Sequence, residues 1–320
     1  MNRLLITGYS GFVGRHLLKA FDSLENVVLL GRSKSPAYPC HFQADIDPIS
    51  DYSNALNGVD VVVHIAARVH VINDKATDPL EEFRTVNTAG TLNLARQAAK
   101  AGVKRFIFVS SIKVNGESTT DNQAFKAQSV PSPKDPYGVS KAEAEEQLVA
   151  LSKETGLEIV VVRPPLVYGE GVKANFAALM NLSSKGVPLP FGCIISNKRS
   201  LVSVDNLVDL IMICIDHPKA VNQVFLVSDD QDVSTFEMVN EMAVALGKPR
   251  LQLRVPIWCF KLVGRLFNKS DVVDRLTGSL QVDITHTKET LGWVPPQTLQ
   301  EGFKKTAEAF LKTKQSSGNK

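Results

Sequence analysis

Apolar positions in this chain fall in short unbroken runs instead of alternating with polar ones. Leu4-Leu5-Ile6, Val27-Val28-Leu29-Leu30, residues 59–65 around Val61-Val62-Val63, Arg105-Phe106-Ile107-Phe108-Val109 and Glu158-Ile159-Val160-Val161-Val162 all have this form. Successive strand residues point to opposite faces, so a run that is apolar throughout needs cover on both, as in a parallel sheet between helices. Between the runs, apolar residues recur at helical spacing over residues 12–21, 79–101 and 137–151. Strand and helix alternate, which predicts an α/β fold on a doubly wound parallel sheet.

After Arg163-Pro164-Pro165 the regularity loosens. Val187-Pro188-Leu189-Pro190 and Gly192 separate shorter helical patterns at residues 205–215 and 234–246. Residues 1–165 are therefore expected to form a nucleotide-binding domain, to which some later segments return. Residues 166–320 are expected to be mainly a smaller C-terminal substrate domain. The polar tail from 312 onward is expected to fray.

The first apolar run ends in Thr7-Gly8-Tyr9-Ser10-Gly11-Phe12-Val13-Gly14, three glycines spaced three apart, and a helical pattern starts at once. Gly8 permits a tight turn, Gly11 lets the backbone approach a diphosphate, and Gly14 lets the helix pack close to the strand. A dinucleotide would rest its pyrophosphate on the free N–H groups of that helix. No Gly-Lys-Ser/Thr follows, so a mononucleotide loop is disfavoured, and the sheet is expected to be of the Rossmann kind. At the end of the second strand stands Gly31-Arg32-Ser33-Lys34, where NAD sites carry an acidic residue. Arg32 suits a 2′-phosphate through charge-assisted hydrogen bonds, so NADP is expected, with NAD as the alternative. Asp45-Ile46 is placed to flank the adenine.

Composition changes the picture little. Of the 320 residues 44% are apolar and 22% charged, and the net charge is only +3, with no basic stripe that would argue for nucleic acid. Cys40, Cys193, Cys214 and Cys259 are far apart and lack metal-ligand spacing, which suits thiols in a reducing compartment. No metal is expected. Met1-Asn2-Arg3 leads into only three apolar residues, and the 201–215 stretch carries Asp205, Asn206 and Asp209. Neither a secretory signal nor a membrane span is expected, no membrane partner is predicted, and the protein is placed in the cytoplasm.

Tyr137 and Lys141 stand four apart, on one face of a helix that Asp135 would cap and Pro136 would open. A nearby ammonium favours a phenolate, so the pair suits proton exchange with an alcohol while hydride moves to or from a nicotinamide. Ser110-Ser111 lies at the carboxyl end of a buried strand, where α/β sheets place their ligands.

Together these residues resemble the extended short-chain dehydrogenase/reductases, in the NAD-dependent epimerase/dehydratase branch. The resemblance covers nearly the whole chain. Gly8, Gly11 and Gly14 match the family's glycine turn, Asp45-Ile46 its adenine motif, and His64-Ile65-Ala66-Ala67 the segment after its fourth strand. Val86-Asn87-Thr88-Ala89-Gly90-Thr91 matches the helix bearing its active-site Asn87, and Ser111, Tyr137 and Lys141 complete a catalytic tetrad. The resemblance also implies cofactor contacts at Phe12, Val13, Ala66, Tyr137, Lys141 and Pro164. Asn175 and Arg199 resemble residues that hold a nucleotide-sugar diphosphate, and Arg275 is the nearest candidate for a second arginine. Arg68, His70 and Lys113 are implied near the sugar. Leu291-Gly292-Trp293-Val294-Pro295 is like the family's structural closing motif. Leu166 departs from the asparagine of many relatives, and no Asp-Glu pair follows Ser111, which disfavours dehydration.

Two activities share that tetrad. One is reduction of a 4-keto-6-deoxy-hexosamine linked to UDP, in polysaccharide precursor synthesis, which Arg32 favours because a net reductase draws on NADPH. The other is 4-epimerisation of UDP-glucose or UDP-N-acetylglucosamine, with one dinucleotide retained. A non-catalytic dinucleotide sensor is a remote third class, which the intact tetrad opposes. The helices at 79–101 and 137–151 resemble those that pair across a two-fold in the family, so a homodimer is expected.

Overall fold

The computed structural model of the chain describes residues 2–32, 40–69, 78–120 and 123–318. Strands β1 (Leu4–Thr7), β2 (Val27–Gly31), β3 (His41–Gln43), β4 (Val61–His64), β5 (Arg105–Val109), β6 (Glu158–Arg163) and, from late in the chain, β9 (Val224–Leu226) form one sheet. Its order is β3-β2-β1-β4-β5-β6-β9, and every pair is parallel. A second sheet holds β7 (Leu166–Tyr168), β8 (Arg199–Ser203) and β10 (Asp232–Val233) in the order β10-β8-β7.

The unbroken apolar runs have the expected cause. Ile6, Val63, Ile107, Val160 and Val162 face one core, while Leu5, Val28, Val62, Phe106, Phe108 and Val161 face another across the sheet. Each fully buried Val, Leu or Phe contributes about 1.5–3 kcal/mol relative to exposure, so both layers are held by the same strands. A third core, around Tyr168, Phe176, Met242 and Phe303, joins the second sheet to the late helices.

The chain winds outward from β1 to β3 and then restarts beside β1 at β4. Reversal at this point opens a crevice at the carboxyl ends of β1 and β4, where doubly wound sheets take their ligands.

Two helices differ instructively from their pattern. Residues 79–101 form an α-helix at Pro79–Phe83, a π-helical turn at Arg84–Gly90, and a second α-helix at Thr91–Lys100. Seven residues are too few for periodicity to separate a π turn from an α turn, and such widened turns cluster at functional sites. The other helix is longer than its apolar pattern, running Pro136–Thr155. Asp135 accepts from the Gly138 N–H (2.7 Å) at its start, and Gly156 ends it in a left-handed conformation.

Candidate active site

The floor of the crevice is the turn after β1. Gly8 has φ +70°, and a Cβ there would lie 2.5 Å from the Ala66 backbone N. A Cβ on Gly14 would lie 2.2 Å from the Gly8 carbonyl oxygen, so any larger residue would push the Phe12–Lys19 helix off the turn. That helix begins at Gly11 with no side-chain cap, leaving its first N–H groups turned to the crevice. The residues fit the diphosphate of a dinucleotide. Ala66 N donates to Thr7 Oγ1 (3.2 Å), which ties the ends of β1 and β4 together. Pro164 accepts from the Ile112 N–H (3.0 Å), closing the ends of β5 and β6 in the same way. Ile46 is buried and Asp45 exposed, on the loop after β3.

Arg32 is exposed at the end of β2, and its carbonyl accepts from Gln43 Nε2 (2.9 Å). Ser33 and Lys34 lie outside the described residues. Gly31 beside it is crowded, because an added Cβ would lie 2.8 Å from the Tyr9 ring, whose hydroxyl is 2.9 Å from His41 Nε2.

Ser111 lies two residues beyond β5 and is the N-cap of a short 3-10 turn. Its hydroxyl accepts from the Lys113 N–H (3.3 Å), and the Phe83 ring meets Tyr137 edge-on with centroids 6.0 Å apart. Burial and the Asp135 carboxylate push the phenol up to about 12, while the Ser111 hydrogen bond opposes them. The lowered phenol expected from the Tyr-x-x-x-Lys spacing is therefore not a property of the protein groups alone. The physical reason is desolvation, reinforced by the Asp135 carboxylate, which together outweigh the Ser111 hydroxyl. Lys141 is 1% exposed, donates to the Val109 carbonyl (3.0 Å), and has its Nζ 4.2 Å from the Phe108 ring centre. Burial brings it down to about 7, against the pull of Glu145.

Asn87 occupies the π turn and is fully buried. Its Oδ1 accepts from Arg68 N (2.8 Å), and its Nδ2 donates to Arg68 O (3.0 Å) and Ser140 Oγ (3.1 Å). It thus locks the loop after β4 to the helix that carries Tyr137. His64, beneath the crevice, bridges Thr7 Oγ1 (2.7 Å) and Thr91 Oγ1 (2.9 Å), and burial with the Lys141 cation holds it down at about 3.

Residues that sequence reasoning passed over brace this arrangement. Ser110 donates to Glu145 (2.5 Å), Glu145 takes the Arg163 guanidinium through both oxygens, and Arg163 Nη1 reaches Asn115 Oδ1 (3.0 Å). The pair is buried at both ends. A signal for it exists, since Tyr137, Lys141 and Glu145 recur at i, i+4 and i+8 on one helix face.

On the substrate side, Arg199 donates to the carbonyls of Arg275 (2.8 Å) and Gly278 (3.2 Å), and the neighbouring Arg275 charge adds to burial in lowering its pKa. The structure brings the two arginines together. Asn175 is exposed near the start of the Ala174–Ser183 helix. Lys113 is bound to Asp135 and Glu117, so its charge is already engaged. Arg68 pairs with Glu82 (3.6 Å) and lies over Phe83. His70 lies outside the described residues.

The model of the NAD dependent epimerase/dehydratase family matches residues 4–228. The chain belongs to this family. It is 60% identical over 312 residues, 96% of this chain and 95% of the other, to a UDP-glucose 4-epimerase of Vibrio cholerae. It is 29% identical over 328 residues, 96% of this chain and 95% of the other, to an N-acetyl-α-D-glucosaminyl-diphospho-ditrans,octacis-undecaprenol 4-epimerase of Escherichia coli O157:H7. The solved UDP-glucose 4-epimerase of Thermotoga maritima, with UDP-glucose, shares the fold at a TM-score of 0.75 and 23% identity, over 97% of this chain and 99% of that one.

The 60% identity to an epimerase overturns the expectation of a 4-keto-6-deoxy-hexosamine reductase. That expectation rested on Arg32, an exposed side chain at a strand end, because the tetrad is common to both reactions. A single exposed cation carries far less weight than identity spread over the entire fold.

Proposed function

We propose that this enzyme is a 4-epimerase of UDP-linked hexoses, with UDP-glucose and UDP-galactose as its substrate pair. The single observation that carries the reading is the 60% identity over 96% of the chain to a UDP-glucose 4-epimerase. In this reading Tyr137 takes the proton of the sugar's C4 hydroxyl, with Ser111 holding the same oxygen, and later returns it to that oxygen, while the inversion itself takes place at the C4 carbon. Lys141 and Asn87 keep the helix face and the facing loop in place, and Arg199 with Arg275 supplies positive charge to the diphosphate. When bound, the dinucleotide supplies a hydride acceptor and donor at its nicotinamide ring. Gly8, Gly11 and Gly14 would hold its diphosphate, and Ile46 and Asp45 would border its adenine.

NAD suits an epimerase better than NADP, since hydride is returned in each cycle and none is drawn from a pool. Arg32 then stays in solvent. We also propose a cytoplasmic homodimer through the helices at 79–101 and 137–151, checked by light scattering.

The test is to denature the purified protein, identify any released dinucleotide, and assay UDP-galactose without added cofactor. Stoichiometric NAD and conversion to UDP-glucose are expected. An empty site with no conversion in the presence of NAD would overturn the reading.

A further inference from the structure

Sixteen large apolar side chains are exposed among the described residues, and seven of them crowd into residues 251–267: Leu251, Leu253, Trp258, Leu262, Val263, Leu266 and Phe267. Most belong to the Ile257–Leu266 helix or flank it. The opposite side of this helix is well seated. Phe260 stacks on Phe191 with ring centroids 6.0 Å apart, and Gly264 is pressed against Val273 so closely that a Cβ would lie 2.7 Å from it. Helix position is therefore settled by one face, while Trp258, Leu262 and Leu266, at i, i+4 and i+8, form an apolar stripe on the other.

Charge around the stripe is one-sided. Residues 248–275 contain Lys248, Arg250, Arg254, Lys261, Arg265, Lys269 and Arg275 against Asp271 and Asp274 alone, a local net charge of +5. The complete chain carries +3, so the rest of it is −2. Lys261 and Arg265 stand three residues on from Trp258 and Leu262, where long cationic side chains lie along an apolar stripe and lift their charges to its rim.

We propose that this helix docks the protein flat on an anionic phospholipid surface. Trp, Leu and Phe enter the boundary between headgroups and acyl chains, and the lysine and arginine heads meet the lipid phosphates. No helix among the described residues is long and apolar enough to cross a membrane. Lying on a membrane is a separate matter, and the expectation of no membrane partner took only spanning into account. A second copy of the same face is disfavoured as the occupant, because a two-fold would set +5 against +5. The docked face adjoins the Ser270–Thr277 helix, whose Arg275 carbonyl receives Arg199, so the membrane would lie beside that arginine pair.

The chain carries its own probe. Of its two tryptophans, Trp293 is 2% exposed and donates to Asp209 (2.7 Å), whereas Trp258 is 65% exposed. Full-length protein is mixed with vesicles of phosphatidylcholine alone, or of phosphatidylcholine with phosphatidylglycerol. A blue shift of tryptophan emission and co-sedimentation are expected with the anionic vesicles only, weakening as salt is added. Lys261→Glu with Arg265→Glu is expected to lower vesicle affinity more than about tenfold, and Leu262→Gln with Leu266→Gln by about as much. Unchanged thermal unfolding shows that these exposed changes leave the fold intact. No binding of the wild type to anionic vesicles at low salt would overturn the proposal, as would equal binding by both double variants. So would self-association that disappears in Leu262→Gln with Leu266→Gln, which would assign the face to a second copy.

Discussion

Around the carboxyl ends of β5 and β6, charges lie inside the molecule and meet protein partners: Arg163 takes Glu145, Glu145 takes Ser110, and Lys141 donates to a strand carbonyl. On the Ile257–Leu266 helix the reverse holds, and apolar groups lie outside with no protein over them. Buried charge is tolerated only when it is paired and hydrogen-bonded, and the first region meets that need within the chain. Exposed apolar area gains nothing until something covers it, so the second region looks outward. The proposed chemistry belongs to the self-sufficient part, and the proposed attachment to the unfinished one.

Four measurements would break or sharpen this contrast. The largest effect is expected from Tyr137→Phe, which should lower UDP-galactose turnover about 10²–10⁴-fold and leave vesicle binding untouched. Leu262→Gln with Leu266→Gln should do the opposite. Loss of both properties in either variant would show that the two regions are not independent.

Next comes the buried pair. Arg163→Met leaves the buried Glu145 carboxylate without its guanidinium, and should destabilise the fold by about 3–5 kcal/mol in urea unfolding. Adding Glu145→Gln should recover part of that loss. A cost below about 1 kcal/mol would mean that water already reaches the pair, and the first region would not be closed.

An effect of similar size, spread over several pH units, belongs to His64. The folded chain keeps it neutral down to about 3, whereas the unfolded chain protonates it near 6.5. The unfolded state thus binds the extra proton between these values, and stability is lost as pH falls through that window. The slope from this group should approach about 1.4 kcal/mol per pH unit. His64→Gln should flatten the acid limb of a stability–pH curve, and an unchanged limb would contradict this. The smallest effect is expected from Leu262→Gln with Leu266→Gln on folding itself, within about 0.5 kcal/mol per site of wild type in thermal unfolding. A large drop would show that the stripe is part of a core.

Much of the candidate site is legible in the order of residues alone. Gly8, Gly11 and Gly14 are readable because a tight turn with close backbone approach accepts almost nothing else. Tyr137 and Lys141 are readable because helical spacing alone places them on one face, and Asp135 because caps obey local rules. The parallel sheet follows from apolar runs with no polar face, which have only one environment that buries both sides.

What required the tertiary structure was every property set by residues distant in the chain. Asn87 faces inward because one turn widens to π, a change too short for periodicity to register. The Tyr137 phenol goes up to about 12 instead of down, because desolvation depends on what surrounds the ring and not on the spacing of Lys141. Glu145 finds Arg163 across 18 residues, and Arg199 finds Arg275 across 76, contacts that no local pattern encodes. Apolar residues stand nearly all round the Ile257–Leu266 helix, so only packing decides which of them are covered. Phe260 is covered and Trp258, two residues away, is not, because Phe191 and Val273 occupy one side of the helix and nothing among the described residues occupies the other.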